Sequence, residues 1–191
     1  MSSPVRQKPA PRPLDAARLD ELALAYVARF AVSAAGLEAY LKRKLRERGW
    51  AGEGAPDLGA VVARFVGAGY VDDAAYARMK AGSLRRRGYG ERRIGQALGA
   101  AGIDADLREA VRAGEGEQRR AALAFARRRR FGPFGAPVDR AGAEKQLAAL
   151  LRAGHRLDVA RALVHAADIA AAQDWADEPG AEARGDEGDL E

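Results

Sequence analysis

The chain has 191 residues, of which 48% are hydrophobic and 31% charged, and its formal net charge is +5. It contains no Cys, Thr or Asn, which excludes disulfides and thiolate metal sites and fits a reducing compartment. No apolar run approaches the ~20 residues of a membrane-spanning helix. The opening MSSPVRQKPAPRPL lacks the apolar stretch of a secretory signal. A cytoplasmic protein without membrane contact is expected.

The net charge hides an asymmetry. From Asp174 to Glu191 there are eight acids and one base, so residues 1–173 carry 31 bases against 19 acids, a net of +12. A basic body implies an anionic partner, either nucleic acid or an acidic protein surface. A GC-rich genome also produces chains rich in arginine, alanine and glycine, and both origins stay open for the arginine excess. Much of the apolar fraction is alanine, so the core is expected to consist of small helix–helix contacts.

Residues 1–14 are Pro-rich, basic and aperiodic, and read as a disordered lead-in. A helix begins between Asp15 and Asp20, with Leu19, Leu22, Tyr26 and Phe30 on one face. Ser33 caps a second helix, with Leu37, Leu41 and Leu45 inward. Gly49 stops it in a left-handed turn, with Trp50 folding back. Asp57 caps a third, in which Leu58, Val61, Val62, Phe65 and Val66 follow the amphipathic template. Gly69 ends that helix, Tyr70 and Val71 pack back into the core, and Asp72 or Asp73 caps the next. Two adjacent acids also suit a metal, but directly before a helix their expected task is to accept orphan N–H groups.

The fourth helix carries Tyr76, Ala77, Met79 and Leu84 into the elbow Arg85-Arg86-Arg87-Gly88-Tyr89-Gly90. A short helix with Ile94 and Leu98 inward stops at Gly102-Ile103. Asp104 caps another, with Leu107, Ala110 and Val111 inward. Gly114-Glu-Gly116 is a break before a helix over 117–130, with Ala121, Ala122, Phe125 and Ala126 on one side. A stiff loop over 132–137 leads to a helix opened by Asp139 or Arg140, with Leu147, Leu150 and Leu151 inward and a stop at Gly154. The last helix carries Leu157, Ala160, Leu163, Val164 and Ala167. From Asp174 the chain is acidic and Gly-rich and reads as disordered. No segment alternates long enough for a strand.

An internal repeat underlies this order. The stops Gly49, Gly102 and Gly154 are spaced by 53 and 52, each with a leucine four residues earlier. Ala25-Tyr26, Ala75-Tyr76 and Ala124-Phe125, each with an arginine soon after, are spaced by 50 and 49. Two markers in one register imply tandem units, each too small for a core of its own. The expected fold is all-α, with three tandem three-helix, helix-turn-helix-like repeats forming an elongated, curved array. The boundaries are a basic lead-in over 1–14, repeats over 15–71, 72–114 and 115–173, and an acidic disordered tail over 174–191. With no Asn, the commonest adenine reader is missing, so sequence-specific DNA reading is not expected.

Catalytic material is scarce. Ser33 and Ser83 are the hydroxyl candidates besides tyrosine. His155 and His165 are off metal-ligand spacing and read as a helix stop and a helix surface. The run Gly88–Arg93 starts like a phosphate-binding G-x-G-x-x-G, but Arg93 replaces the third glycine and no strand precedes it. A protein without enzymatic activity, cofactor or metal is expected. The candidates for partner or phosphate contact are Lys42, Arg43 and Arg46 in the first unit, and Arg85, Arg86, Arg87, Arg92 and Arg93 around the second elbow. In the third unit they are Arg127, Arg128, Arg129 and Arg130. Arginine binds phosphate or carboxylate bidentately, and the elbow glycines would let backbone approach a partner. The alternative is a set of solvated faces aided by helix dipoles. The acidic tail either competes for the basic surface in cis or keeps the chain soluble.

The segments GYVDDAAYA (Gly69–Ala77) and RRRGYGERRIGQALGAAGI (Arg85–Ile103) resemble the RecX family of regulators of the RecA recombinase. That family shows Gly-Tyr-Leu-Asp-Asp before a Phe-Ala pair, a basic Gly-x-Gly elbow, Arg-Ile, and a helix closing with Gly-Ile. Tyr26–Arg29 with Ser33, and Leu45 with Gly49, also fit. The likeness covers Leu22 to Val111 and the third unit by plan alone. Val71 and Tyr76 replace the family's Leu and Phe, and Gly36 and Ala97 stand where acids are usual. The resemblance implies tandem three-helix repeats and no chemistry. It implies a protein that binds RecA and its filament on single-stranded DNA and mainly inhibits ATP hydrolysis and strand exchange in recombination and the SOS response; a monomer is expected. The alternative is a sequence-tolerant DNA-binding protein acting through phosphates; a weak direct DNA contact fits either.

Overall fold

The computed structural model describes residues 12–178, and these are all-α. Most of the basic lead-in and of the acidic tail lies outside the described residues. Ten α-helices follow one another among the described residues: α1 (Ala16–Val27), α2 (Ala34–Arg48), α3 (Leu58–Gly67), α4 (Asp73–Arg86), α5 (Glu91–Ala100), α6 (Ala105–Ala110), α7 (Glu115–Arg129), α8 (Arg140–Arg152), α9 (Leu157–Val164) and α10 (Ile169–Asp177). A 3-10 turn over Gly132–Phe134 separates α7 from α8. Two compact units result, one ending at Tyr76 and the other beginning at Ala77, inside α4. The second unit therefore contains both the 85–103 elbow region and the 115–173 segment.

The first unit is built on capped, amphipathic helices. Asp15, Ser33 and Asp57 each accept the backbone N–H of the third residue on, as expected of N-caps. Leu19, Leu37, Leu41, Leu58, Val62, Phe65 and Val71 form one buried cluster, and each buried leucine contributes about 2 kcal/mol. The two acids Asp72 and Asp73 divide their labour. Asp72 caps its own helix through Ala75 N–H at 2.8 Å, whereas Asp73 accepts from Ala34 N–H at 2.8 Å. The start of α4 is thereby tied to the start of α2, 39 residues earlier in the chain.

Several expectations for this unit are corrected. Leu14, expected in the disordered lead-in, is fully buried, and its backbone pairs with Gly49–Ala51 through two hydrogen bonds of 3.0 and 2.8 Å. Gly49 has positive φ, but its ψ of 174° is extended, so it opens a bridge to Leu14 instead of closing a left-handed cap. Phe30 and Tyr70, expected inside, are 52% and 59% exposed. Phe30 lies past the last residue of α1, where the helical period no longer dictates direction. Tyr70 follows Gly69 at φ +76, which turns the side chain outward over Phe65, and Val71 takes the core position.

The second unit turns on a junction of backbones. α4 stops at Gly88, where Tyr89 N–H reaches back to the Leu84 carbonyl at 3.1 Å, the six-to-one bond of a glycine stop. The same bond recurs from Ile103 to Leu98 and from His155 to Leu150, both at 3.1 Å. The first and third of these stops meet. Gly90 N–H donates to the Ala153 carbonyl at 2.9 Å, Arg92 N–H to Gly154 at 3.3 Å, and His155 Nε2 lies 3.0 Å from the Gly88 carbonyl. A Cβ on Gly90 would sit 2.4 Å from the Gly154 carbonyl. One on Gly88 would sit 2.9 Å from the Phe125 nitrogen. The elbow glycines were expected to admit a partner; they admit α7 and the turn after α8 instead.

Around this junction lie Phe125, Leu147, Leu150, Ala153, Ala160 and Val164. Gln146, buried beside them, accepts from Gly132 N–H at 2.8 Å and fixes the 3-10 turn. Met79 (47%), Leu157 (43%) and Ala110 are exposed; α4 buries Ala77 and Ala81 on a narrower stripe than its large residues suggest. α7 begins at Glu115, so Gly116 is helical and the break reduces to Gly114.

α10 was not foreseen, and it crosses the expected boundary at residue 174. Asp168 caps it through Ala171 N–H at 2.8 Å, and Ala172 and Ala176 are buried. Arg119, 8% exposed on α7, holds it: Nη2 reaches Glu115 at 2.6 Å, Nη1 reaches the Trp175 carbonyl at 3.3 Å and Glu178 at 3.4 Å, and the guanidinium lies 5.4 Å from the Trp175 ring. The eight acids of 174–191 masked the short Ala/Trp stripe that marks this helix.

Gly90 has φ −83, so alanine there meets no backbone strain, but its Cβ meets the Gly154 carbonyl and the His155 nitrogen. Gly90→Ala is expected to destabilise by about 2–3 kcal/mol in chemical denaturation. Gly95→Ala, with open space on the same helix, is expected to stabilise by up to about 1 kcal/mol. Burial lowers the pKa of His155, partly offset by its bond to Gly88. Its neutral form is favoured by folding, so the contribution is complete above about pH 6.5 and is lost as pH falls below it. Thermal unfolding between pH 7.5 and 5.5 is expected to show a shallower loss of Tm in His155→Gln than in the parent.

Candidate partner-contact surface

The helix ends that carry the basic clusters sort them into three kinds. In the first unit, Lys42, Arg43 and Lys44 on α2 face acids of the same helix: Lys42–Glu38 at 2.8 Å, Arg43–Glu47 at 3.7 Å and Lys44–Glu47 at 2.6 Å. The Lys44 hydrogen bond, followed by the charges of Lys44, Arg43 and Arg46, holds the Glu47 carboxyl below its usual range. Arg43 and Lys44 also lie over the Tyr40 ring, which stacks on Tyr26 at 3.9 Å. These exposed pairs contribute little to stability, and Arg46 beside them is exposed.

Arg85 is of the second kind. Its side chain is only 18% exposed. Nε and Nη2 grip Glu91 Oε1 at 3.1 and 3.0 Å, Nη2 also donates to the Val111 carbonyl at 3.1 Å, and Nη1 is 3.5 Å from Glu117. It fastens the ends of α4, α5, α6 and α7 together, and its donors are committed inward. Arg85, one of the residues expected at the contact, thus has its donors turned to neighbouring helices.

The third kind is a surface of exposed arginines held by aromatic faces. Arg87 and Arg93 lie over the Tyr89 ring at 5.5 and 5.1 Å. Arg128 and Arg129 lie against Phe125 at 5.9 Å each, and Arg127 over Phe134 at 5.5 Å. Arg128 Nη2 donates to the Arg87 carbonyl, so the elbow cluster and the α7 cluster form one continuous surface. Arg86 is exposed beside it, and Arg130 caps α7 in the left-handed conformation at φ 56. Arg92, also exposed, uses one donor on the Leu151 carbonyl at 2.6 Å. Stacking on a ring orients a guanidinium while leaving most of its N–H donors outward, which suits carboxylate or phosphate oxygens.

Sequence reasoning missed an apolar feature in the first unit. Leu24 and Val66 are 47% and 45% exposed, joining Tyr70 and Phe30. Leu24, Phe65 and Tyr70 line a hollow of about 370 Å³ rimmed by Asp20, Glu21 and Arg64, with Arg64 bridging to Asp20 at 2.5 Å. The width of the α3 pattern was the available signal: Leu58 to Val66 spreads over more of the helix than one neighbour covers. Among the described residues, no cluster of His, Cys, Asp and Glu could hold a metal, and no helix is long and apolar enough to cross a membrane. Ser33 is a buried cap, His155 a buried backbone ligand and His165 an exposed helix end.

Comparison with known proteins fits this construction. The model of the second three-helix domain of RecX matches residues 72–111, the span from the capping Asp72 to the Val111 that receives Arg85. The regulatory protein RecX of Myxococcus xanthus (strain DK1622) is 35% identical over 164 residues, covering 81% of this chain and 88% of that protein. The crystal structure of RecX from Lactobacillus salivarius shares the fold with a TM-score of 0.60 at 17% identity, over 78% of this chain and 93% of that one. With its all-α fold, its capped Asp72-Asp73 turn and a full-length relative at this level of identity, the chain belongs to the RecX family of regulatory proteins.

Proposed function

We propose that this chain is a non-enzymatic modulator of the RecA recombinase, binding RecA and its filament on single-stranded DNA and mainly restraining ATP hydrolysis and strand exchange. Membership of the RecX family carries this reading. The contact residues are the exposed arginines around Tyr89 and Phe125, namely Arg86, Arg87, Arg93, Arg128 and Arg129, with Arg92, Arg127 and Arg130 at their edge. Lys42, Arg43 and Arg46 form a weaker contact on α2. The three-helix repeats at 15–71, 72–114 and 115–173 act as successive contact units, and engagement of more than one gives avidity that a single unit lacks. The protein works as a cytoplasmic monomer, and it needs no cofactor.

A second reading, sequence-tolerant binding of DNA through phosphates, draws on the same arginines. The exposed Tyr70, Leu24 and Val66 favour a protein partner, since aromatic and aliphatic groups anchor protein interfaces and gain nothing from phosphates.

Titrating the chain into the cognate RecA on single-stranded DNA, with ATP hydrolysis as readout, separates the two. Inhibition well below one regulator per recombinase is expected. Inhibition only when the chain saturates the strand would transfer the proposal to DNA competition, and no effect at any ratio would overturn both. In the same assay Arg86, Arg87 and Arg93 changed together to alanine should weaken inhibition roughly tenfold or more, each lost charged contact contributing about 1 kcal/mol, with helicity by circular dichroism unchanged. Arg85→Ala is expected to destabilise by about 2–3 kcal/mol instead, because Glu91 then loses its partner.

A further inference from the structure

A cleft of about 860 Å³ lies in the second unit between α5, α6 and the turn into α9. Its floor is apolar, formed in part by Ile94, Leu98 and Leu151, and Leu157 at its edge is 43% exposed. Its rim carries Arg92, Arg108, Arg112 and Arg156 against Glu91 and Glu109. Arg85 already neutralises Glu91 from outside the cleft. Arg112 meets Glu109 only at 3.4 Å, with the two side chains 53% and 73% exposed. Arg156 pairs with Asp158 at 2.9 Å, again with both side chains largely exposed. Arg108 spends Nε on the Asp104 carbonyl at 3.2 Å, and Arg92 spends one N–H on Leu151. Exposed pairs of this kind exchange at little cost, and each guanidinium has five N–H donors. The rim is cationic with donors to spare.

The path of the chain leads to this cleft. A second, polar hollow of about 420 Å³ shares Glu109, Arg112, Gln118 and Arg156 with it and extends to Glu115. Glu115 is 2.6 Å from Arg119, and Arg119 is 3.4 Å from Glu178. Glu178 is the last described residue, so the chain leaves the structure two side chains from the rim. Residues 179–191 follow, with five acids (Glu182, Asp186, Glu187, Asp189, Glu191), one base (Arg184) and one large apolar residue, Leu190. Thirteen extended residues reach roughly 40 Å. Tethering this close gives a local concentration of about a millimolar, at which weak contacts persist.

We propose that residues 179–191 fold back in cis into the α5–α6–α9 cleft, their carboxylates on Arg108, Arg112 and Arg156 and Leu190 against Leu157. This inference is independent of the RecA reading, since it concerns the chain alone.

The chain has no cysteine, so Gly188→Cys in the full-length protein provides a single position for a nitroxide spin label. At low salt, backbone amides of Gly99, Arg108, Arg112 and Leu157 are expected to lose most of their NMR intensity through paramagnetic broadening. Raising salt to about 0.5 M, where screening shortens to a few Å, should restore them. Arg112→Gln with Arg156→Gln should restore them too; both side chains are exposed, so packing is spared. No broadening, broadening centred on Arg127–Arg130, or broadening that survives the double substitution would overturn the proposal. Broadening passed from labelled to isotope-enriched unlabelled copies in a mixture would overturn its cis character.

Discussion

The second unit depends on one backbone-to-backbone contact, where the elbow Gly88-Tyr89-Gly90 rests against Ala153-Gly154-His155. Main-chain atoms approach so closely there that a Cβ on Gly90 or Gly154 would lie about 2.4–2.8 Å from its neighbour. The contact spends polar groups that helix stops otherwise leave unpaired: Gly90 N–H, the Ala153 carbonyl and the Gly88 carbonyl all find partners. Two helix ends thus satisfy each other, and the buried imidazole of His155 adds a side-chain bond to the Gly88 carbonyl. Because a carbonyl only accepts, the His155 Nε2 that meets Gly88 must carry the proton. Tyr89 is held between this junction and the surface, which is why it can present its ring to Arg87 and Arg93.

Arginine plays opposed parts within a few residues. Arg85 and Arg119 are nearly enclosed, each paired with glutamate and a backbone carbonyl, and they fasten helices. Arg87, Arg93, Arg128 and Arg129 lie on rings with donors outward. The difference follows from position relative to helix ends. Arg85, one turn before the Gly88 stop, points across to the first turn of α5, where Glu91 stands at a helix N-terminus. Arg87, one residue before the stop, points past it.

Carboxylates show the same division. Asp15, Asp57, Asp72, Asp104, Asp139 and Asp168 all accept N–H groups at the start of their own helices. Asp73 does so for a helix far away in the chain. A pair of adjacent acids that might have held a cation is thereby explained within the first unit by two helix dipoles.

The sequence by itself determined the all-α class, nearly all helix starts, the glycine stops and most of the inward leucines, Leu157 excepted, because caps and helical periods are local. The family likeness was legible for the same reason: it resides in the Asp72-Asp73 turn and the Gly-Tyr-Gly elbow, both short-range signals. Tertiary structure alone decided what those signals serve. It turned the elbow glycines toward α7 and Gly154, withdrew Arg85 from the surface, joined the elbow arginines to those of α7, seated Leu14 in the core and left Tyr70 outside. It also drew α10 out of a stretch whose charge reads as disorder, since burial of Ala172 and Ala176 and the grip of Arg119 exist only once α7 is in place. Contacts between residues 30 to 70 positions apart carry no local pattern, so the chain's periodicities could announce the helices but not the partners those helices would choose.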